Sequence, residues 1–368
     1  MSFKTPLRIG RFEPRVADPS FWRQLAAGSG MTIPLESIPR FTAADASNVA
    51  RREFGIVGSL SALPSERDQN FLITDAGGGK SVLKIANSSD TPQLLDFQNQ
   101  AMRHVAKALT DCRVQSVVPS LQGSDLTTMS NRSMGAPHCV RMLTWIEGEV
   151  LANIPTRGPA LFESIGATMG KIDAALCRFA HPAMRRVLQW DLRQAGMARE
   201  KVPLLSLDRR ARVERIFQQW DEINWATQRH SVVHGDANDY NVLVGAGRMV
   251  GLLDFGDMLH TSTVCDLAIA LAYTMLHEKV PLSAAAQVIR GYHRSHPLTD
   301  AEQQVLFPLI LSRLSMSVCY SAHNRARNPH DPYQVVTEAA AWELLDKLER
   351  CSSGDALAMI RANCTAAQ

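Results

Sequence analysis

Two short segments in the second half of the chain carry the residues best suited to chemistry. The first contains Asp236 and, five residues later, Asn241, directly ahead of an apolar run. The second closes another apolar run with Asp254, which Phe255 and Gly256 follow. Phosphoryl transfer needs a carboxylate beside the attacking hydroxyl and oxygen ligands that hold Mg²⁺ on the phosphates. Asp236 is therefore predicted to accept the hydroxyl proton, and Asn241 and Asp254 are predicted to bind the metal.

One lysine lies in an apolar, strand-like segment far upstream of these carboxylates. Lys84 stands between Leu83 and Ile85, and a cation in such surroundings needs an anionic partner. A nucleotide phosphate is the natural one. Each of the three motifs is common alone, but lysine, Asp-x4-Asn and Asp-Phe-Gly follow one another here in the order of the kinase signature set. The combination favours a kinase.

Four more polar residues surround these motifs. Asp239 and Asp257 are extra carboxylates that either cap turns or attract metal or an amine-bearing substrate. His234 is expected to be a buried structural residue hydrogen-bonded to the catalytic loop, residues 235–241. Asp266 lies at the start of an apolar helix, and a buried carboxylate needs hydrogen-bond donors, so the backbone of the catalytic loop is its candidate partner.

Composition and charge limit the class of protein. The chain has 368 residues, 45% of them hydrophobic and 20% charged, which is typical of a globular enzyme with two to three domains or lobes. A net charge of +3 without a basic stripe argues against nucleic-acid partners. Seven cysteines without a Cys-x-x-Cys pair favour a reducing compartment. With no signal peptide in residues 1–22 and no apolar run long enough to span a membrane, we expect a cytoplasmic protein.

Periodicity divides the chain into a β-rich and a helical part. Residues 1–45 are predicted to be an irregular or partly helical leader. An N-lobe of antiparallel sheet with one helix, residues 46–146, is predicted from a helix at 92–109 and from apolar runs at 54–60, 71–74, 81–85, 117–118 and 139–145. Residues 76–80 are predicted to form a hairpin turn, since a Walker loop would need glycine at position 74 and a following helix.

The helical C-lobe is predicted over residues 147–350, and residues 351–368 are predicted to be a frayed tail. Its predicted helices cover residues 160–179, 183–198, 208–227, 262–277, 283–295, 300–322 and 332–350. The fold class is therefore α+β, with a small β-rich lobe, a larger helical lobe and the active site in the cleft between them.

The chain resembles the aminoglycoside phosphotransferase–choline kinase group, small-molecule kinases with a protein-kinase-like fold. Within that group it is most similar to the hydroxylysine kinases and their bacterial relatives. The resemblance spans about residues 45–350 and is carried by residues 63–71, 82–86, 189–192, 234–244, 251–258 and 329–333.

The resemblance implies a role for individual residues. Asp236 matches the catalytic base, Asn241 and Asp254 match the metal ligands, and Lys84 matches the lysine on the α- and β-phosphates. The turn that covers the nucleotide phosphates corresponds to residues 65–70, with Ser65, Arg67 and Asn70 as contacts. The hinge that binds the purine through its backbone corresponds to residues 143–146, with Leu143 and Trp145.

Two departures from the family pattern stand out. The phosphate turn has no Gly-x-Gly-x-x-Gly, and the helix that normally supplies a glutamate to the strand lysine has none. Asp96 or Gln98 is expected to take the place of that glutamate, and the sequence does not choose between them.

The predicted function is Mg²⁺-dependent transfer of the γ-phosphoryl of ATP or GTP to a hydroxyl of a small amine- or amino-acid-like substrate. Hydroxylysine leads on the resemblance alone; homoserine, choline, ethanolamine and aminoglycosides are alternatives. A nucleotide-binding pseudokinase scaffold is a further alternative, which the intact catalytic set argues against and the missing glutamate favours. A protein kinase is disfavoured because no Ala-Pro-Glu follows Asp254. Donor choice and oligomeric state stay open.

Overall fold

A computed structural model describes residues 37–65, 67–109, 111–130, 136–327 and 333–366. Most of the predicted leader therefore lies outside the described residues. So do Glu66 in the phosphate turn and positions 329–332 of the last segment that carries the family resemblance.

The N-terminal lobe is built on a six-stranded antiparallel sheet in the order β1–β2–β3–β7–β5, with β6 paired to β7. Its strands are β1 (Gly58–Leu63), β2 (Gln69–Asp75), β3 (Lys80–Ile85), β5 (Val117–Val118), β6 (Thr127–Met129) and β7 (His138–Thr144). The predicted hairpin between β2 and β3 is confirmed. Asp75 accepts the backbone N–H groups of Gly77 and Gly79 at 2.8 Å each, which fixes this turn.

Two helices cover this sheet. A capping box between Thr42 and Asp45 starts α1 (Ala43–Phe54), and Gly55 ends it in the left-handed region at φ +67°. The predicted strand at 54–60 was therefore placed too early, because Phe54 still belongs to the helix. Helix α2 (Pro92–Ala108) follows β3 and is capped by Thr91. The buried face of α1 packs on apolar residues of β2 and β3.

Seven helices dominate the described part of the C-terminal lobe. They are α3 (Pro159–Leu176), α4 (Leu207–Asp221), α5 (Val264–Thr274), α6 (Pro281–Ser295), α7 (Asp300–Arg327), α8 (Tyr333–Leu348) and α9 (Ser353–Thr365). The five that match the longer predictions at 160–179, 262–277, 283–295, 300–322 and 332–350 have ends shifted by a few residues, and α4 ends earlier than predicted. Among the described residues, only α7 is long and apolar enough to cross a membrane, but 78% of its apolar window is buried in the fold, as in a core helix.

Six short strands frame the catalytic loop. A four-stranded sheet in the order β4–β11–β10–β8 joins β4 (Arg113–Val114), β11 (Arg248–Leu252), β10 (Val242–Gly245) and β8 (Glu149–Val150). A separate antiparallel ribbon pairs β9 (His230–Val233) with β12 (Leu259–Ser262). The loop between β9 and β10 and the turn between β11 and β12 therefore emerge side by side.

Two predicted elements of this lobe were wrong. Residues 183–198 do not form one helix but separate turns at Pro182–Met184, Leu192–Gln194 and Gly196–Arg199. The Asp191 side chain accepts the N–H of Arg193 and starts a new turn there, as such side chains do when they compete with helix continuation. The predicted frayed tail is instead α9, capped by Ser352 and anchored by buried Ala356 and Ile360.

Candidate active site

The catalytic loop and the Asp254 turn are joined through the β10–β11 hairpin. Val242 pairs with Leu252, and the N–H of Leu253 donates to the carbonyl of Asn241 at 2.9 Å. This register places Asn241 beside Asp254 although the two are far apart in sequence. The structure thus brings the predicted base and both predicted metal ligands to one end of the hairpin.

Asp236 is held on both carboxylate oxygens. Its Oδ2 accepts hydrogen bonds from the side-chain amides of Asn238 and Asn241, at 3.0 Å each. Its Oδ1 accepts one from Nη2 of Arg313 at 3.2 Å. Burial raises the pKa of Asp236 to about 7, against the lowering effect of the Arg313 charge. The carboxylate is oriented by neighbours that belong to two different elements.

Lys84 lies between two carboxylates at the sheet face of the cleft. Its side chain is nearly buried, and Nζ is 3.2 Å from Asp68 and 3.2 Å from Asp254. Asp254 has left-handed backbone geometry at φ 55°, and its Oδ1 also accepts the N–H of Gly256. The ammonium of Lys84 holds the pKa of Asp254 well below its usual range, so this carboxylate is ionised.

The expectation that Asp96 or Gln98 partners Lys84 was wrong. Asp96 lies 3.2 Å from His181, and Gln98 accepts a hydrogen bond from buried Arg141 at 2.6 Å. The acidic partner is Asp68, which directly precedes β2 and not the helix. Because β2 and β3 form one hairpin, the pair is fixed within the sheet.

The residues at the Asp254 turn fit a magnesium ion. Both Asn241 amide hydrogen bonds to Asp236 use its nitrogen, which leaves the amide oxygen as a ligand. The contacts of Asp254 with Lys84 and Gly256 use Oδ1, which leaves Oδ2. No group of three His, Cys, Asp or Glu side chains suited to a metal occurs among the described residues. Magnesium suits such a sparse oxygen set, because it keeps waters and takes substrate phosphates as further ligands.

His234 and Asp266 hold the backbone of the catalytic loop. Asp266 is fully buried and accepts the N–H groups of His234 at 3.1 Å and Gly235 at 2.8 Å. The His234 ring lies 3.0 Å from the carbonyl of Leu253, and burial lowers its pKa. Gly235 has φ +81°, and a Cβ there would lie 2.5 Å from the carbonyl of Asp257. These contacts fix the peptide immediately before Asp236.

The two extra carboxylates occupy different places. Asp257 forms an ion pair with Arg67 at 2.7 Å, which joins the phosphate turn to the helical lobe and raises the pKa of Arg67. Asp239 is buried, and burial raises its pKa against the lowering charge of Arg157. Its carbonyl accepts the N–H of Ala152.

The remaining predicted nucleotide contacts spread along the sheet. The Ser65 hydroxyl accepts the N–H of Asp68 at 3.2 Å, and Asn70 pairs with Lys84 across β2 and β3. Leu143 is paired with strands on both sides, so its backbone cannot bind a purine as expected. The chain leaves the sheet after Thr144, so Trp145 is the first residue of the predicted hinge that lies outside the strand.

Sequence reasoning missed Asp68 and Arg313 as members of this site. Asp68 lies within the turn that was singled out, but its side chain gave no local signal. Arg313 is a charged residue in the middle of a largely apolar helix. That placement is the signal that could have marked it, because buried arginines need an anionic partner.

A β-rich lobe, a helical lobe and an Asp-x4-Asn loop facing an Asp-Phe-Gly turn define the class of phosphotransferases with a protein-kinase-like fold. The model of the phosphotransferase enzyme family (APH) matches residues 59–304. The chain belongs to this family. It is a phosphotransferase with an alcohol group as acceptor, as the sequence predicted.

Curated relatives extend the likeness over most of the chain. Hydroxylysine kinase of Mus musculus is 30% identical over 356 residues, which cover 88% of this chain and 93% of that protein. Hydroxylysine kinase of Danio rerio is 27% identical over 344 residues, which cover 86% of this chain and 96% of that protein.

Solved structures share the fold. Amicoumacin kinase hAmiN, in complex with AMP-PNP, Ca²⁺ and Ami, superposes with a TM-score of 0.64 at 15% identity, covering 83% of this chain and 94% of that one. The microcompartment-associated aminopropanol kinase gives a TM-score of 0.64 at 16% identity, covering 86% and 100%. These likenesses confirm the α+β, two-lobed fold.

Proposed function

We propose that this enzyme transfers the γ-phosphoryl group of ATP or GTP to the hydroxyl group of hydroxylysine, with Mg²⁺ as the metal. One observation carries the choice of acceptor: four curated relatives named hydroxylysine kinase match 79–88% of this chain at 27–30% identity. Homoserine, choline, ethanolamine and aminoglycosides are the competing acceptors.

In the proposed mechanism Asp236 orients the acceptor hydroxyl and takes its proton. The amides of Asn238 and Asn241 hold the carboxylate in place, and Asp266 holds the loop beneath it. Such positioning, together with electrostatic stabilisation, supplies most of the catalysis in phosphoryl transfer. Lys84 is assigned to binding the donor phosphates. Its ammonium lies beside Asp254, next to the proposed metal.

Asn241 and Asp254 would hold the metal through the amide oxygen and the free carboxylate oxygen. Bound there, Mg²⁺ supplies positive charge against the phosphate oxygens. Asp257 and Asp239 are assigned to electrostatic attraction of the ammonium groups of the acceptor. The negative charge of Asp257 raises the pKa of Asp236, so it acts on the group proposed as the base.

A cytoplasmic location completes the proposal. All seven cysteines are free thiols, as a reducing compartment would keep them.

The test is nucleoside diphosphate release with Mg²⁺ and either ATP or GTP. Hydroxylysine, homoserine, ethanolamine, choline and one aminoglycoside are offered in parallel, and we expect the highest kcat/KM with hydroxylysine. A higher kcat/KM with another acceptor would replace hydroxylysine. Tight Mg²⁺–nucleotide binding without turnover on any acceptor would favour the pseudokinase scaffold.

The matched control is Asp236→Asn, which keeps the size of the side chain and removes the base. Loss of a general base lowers turnover by about 10²- to 10⁴-fold, while binding of the Mg²⁺–nucleotide measured by calorimetry should persist. Equal loss of binding and turnover would contradict the role of Asp236.

A further inference from the structure

Arg313 is the one basic residue among the described residues whose side chain forms an ion pair with the carboxylate of Asp236. It comes from the middle of α7 and is only 2% exposed. Its Nη2 lies 3.2 Å from Oδ1 of Asp236. A buried arginine in the core of the lobe is costly unless it is paired, so its contact with the reacting carboxylate calls for an explanation.

The guanidinium is held through both terminal nitrogens and by two aromatic rings. Nη1 donates to the carbonyl of Trp190 at 3.0 Å, and Nη2 also reaches the hydroxyl of Tyr273 at 3.4 Å. The rings of Trp190 and Tyr273 lie 4.6 and 5.4 Å from the guanidinium carbon. Trp190 is itself packed edge-on against Tyr320, whose hydroxyl donates to the carbonyl of Gln189. Stacking and hydrogen bonds together leave this long side chain one geometry.

The hydrogen bonds of Asp236 show which of its lone pairs the fixed guanidinium of Arg313 occupies. A carboxylate offers about four lone pairs, two on each oxygen. The amides of Asn238 and Asn241 take both on Oδ2, and Arg313 takes one on Oδ1. One acceptor position remains, and it lies on the oxygen that Arg313 holds.

We propose that Arg313 is a positioning residue that presents Oδ1 of Asp236 to the acceptor hydroxyl. The inference rests on the proposed function, because it needs a hydroxyl that donates to Asp236. In the transfer step, the acceptor O–H proton moves to Oδ1. The acceptor oxygen bonds to the γ-phosphorus, and the bond from that phosphorus to the β–γ bridging oxygen breaks. The nucleoside diphosphate leaves, and Asp236 later returns the proton to water.

Three variants test this role. Arg313→Ala removes the contact, Arg313→Lys keeps the charge without the planar fork, and Tyr273→Phe removes one anchor of the guanidinium. We expect kcat to fall by about 10²-fold in Arg313→Ala, the cost of misplacing a catalytic group by about 1 Å, with KM for nucleotide and acceptor unchanged. The kcat of Arg313→Lys should lie between those of Arg313→Ala and the wild type. Added guanidinium ion should restore part of kcat to Arg313→Ala and none to Asp236→Asn.

The matched control is Arg229→Ala, which removes the arginine of another ion pair in the same lobe, with Glu302 at 2.6 Å. It should lower the melting temperature and leave kcat of the folded enzyme unchanged. If Arg313→Ala fails to fold, the role of Arg313 is judged from Arg313→Lys and Tyr273→Phe. In both variants kcat should fall while KM stays unchanged.

Three outcomes would overturn the proposal. One is an unchanged kcat in the folded Arg313 variants. Another is a raised acceptor KM with unchanged kcat, which would make Arg313 a binding residue. The third is the same loss of kcat in Arg229→Ala.

Failure of the acceptor assignment is separable from failure of this inference. If no acceptor is turned over, the variants are compared on slow nucleotide hydrolysis, in which water takes the place of the acceptor hydroxyl. The same fall in kcat is expected there. A wild-type enzyme without even this hydrolysis would overturn both proposals.

Discussion

At the scale of single residues, the site is organised by charges that face one another across the cleft. Lys84 from the sheet meets Asp254 from the helical lobe, and Arg67 meets Asp257. Hydrogen bonds between charged groups are stronger than those between neutral groups. They tie the sheet, which we propose binds the phosphates, to the Asp254 turn, which we propose binds the metal, before any substrate arrives.

The pairing of Lys84 with Asp68 leads to a first prediction. Asp68→Asn removes one of the two anions that pair with the Lys84 ammonium. Breaking a buried ion pair costs about 3–5 kcal/mol, and less is expected here because Asp254 stays beside the ammonium. We therefore expect kcat/KM for the nucleotide to fall by about ten- to a hundredfold. Asp96→Asn, the matched control on α2, should leave steady-state kinetics unchanged, because Asp96 lies against His181. The reverse ranking of the two variants would contradict the assignment.

The residues of the site were predictable from sequence to the extent that their geometry is local. Asp236 and Asn241 belong to one short loop and form a hydrogen bond within it. Their spacing in the chain was therefore enough to indicate that they lie close together. Asp68 and Arg313 were not predictable in this way. The first depends on the register of β2 against β3, and the second on the packing of α7 against the catalytic loop. The resemblance pointed to a partner on the helix, Asp96 or Gln98, whereas the acid that pairs with Lys84 lies directly before β2.

At the scale of elements, the helical lobe depends on a close crossing of α3 and α6. Gly166 on α3 and Gly291 on α6 face the backbone of the opposite helix, and a Cβ on them would lie 1.9 Å from the carbonyl of Val288 and 2.1 Å from that of Glu163. Glycine is required here for the approach of two backbones, and not for its conformational freedom.

Gly291→Ala should therefore destabilise the protein although alanine is the better helix former. Overpacking of this kind costs about 1–3 kcal/mol, to be measured by chemical denaturation. Gly354→Ala in the first turn of α9 is the control, because its Cβ would meet only the Ser352 hydroxyl at 3.7 Å. It should be neutral or slightly stabilising. A Gly291→Ala protein as stable as the control would show that the helices separate freely.

A buried acid on α3 predicts a pH dependence. Asp173 is fully buried and accepts the hydroxyl of Tyr292 at 2.6 Å. Burial, together with the charge of Asp266, raises the pKa of Asp173 well above its usual value. The folded state thus retains a proton that the unfolded chain releases, so this contribution to stability is full below the ordinary aspartate pKa and is lost as pH rises towards the folded pKa.

Asp173→Asn should remove the loss of stability at high pH, because an amide keeps the shape of the protonated acid without titrating. Unfolding free energies compared from pH 4 to pH 9 should fall less steeply with rising pH in the variant than in the wild type. Parallel curves would mean that Asp173 is ionised in the folded protein.

Element prediction was accurate where periodicity was strong and wrong where local capping intervened. The apolar spacing of α2 and α6 indicated helices that the structure contains. Residues 183–198 had similar spacing, but Asp191 starts a new turn within them. Residues 351–368 looked polar because α9 buries a narrow face against the lobe, which a composition argument does not detect.

At the scale of the whole molecule, the two lobes are joined at the site itself. β4 pairs with β11, and Arg186 and Gln98 both donate to the carbonyl of Gly256, at 3.0 and 3.5 Å. The turn that carries Asp254 thus also connects the two lobes. A ligand that bridges this turn and the sheet should stabilise the entire chain.

That coupling predicts how Mg²⁺–nucleotide affects unfolding. At about 100 times its dissociation constant, a ligand that binds only the folded state adds about 2.7 kcal/mol to the free energy of unfolding. We expect this gain in the wild type with Mg²⁺ present, measured by thermal or chemical unfolding. Asp254→Ala should lose the part that depends on Mg²⁺, whereas Asp236→Asn should keep it. A metal-dependent gain that survives in Asp254→Ala would contradict its role as a ligand.

The acid that faces Lys84 also bears on how such an enzyme can be controlled. Protein kinases are commonly switched by swinging a helix whose glutamate must reach the strand lysine. Here the corresponding carboxylate, Asp68, directly precedes the strand that pairs with that of Lys84, so moving α2 would not separate the pair. The ion pair is therefore assembled as soon as the chain folds, without any movement of that helix.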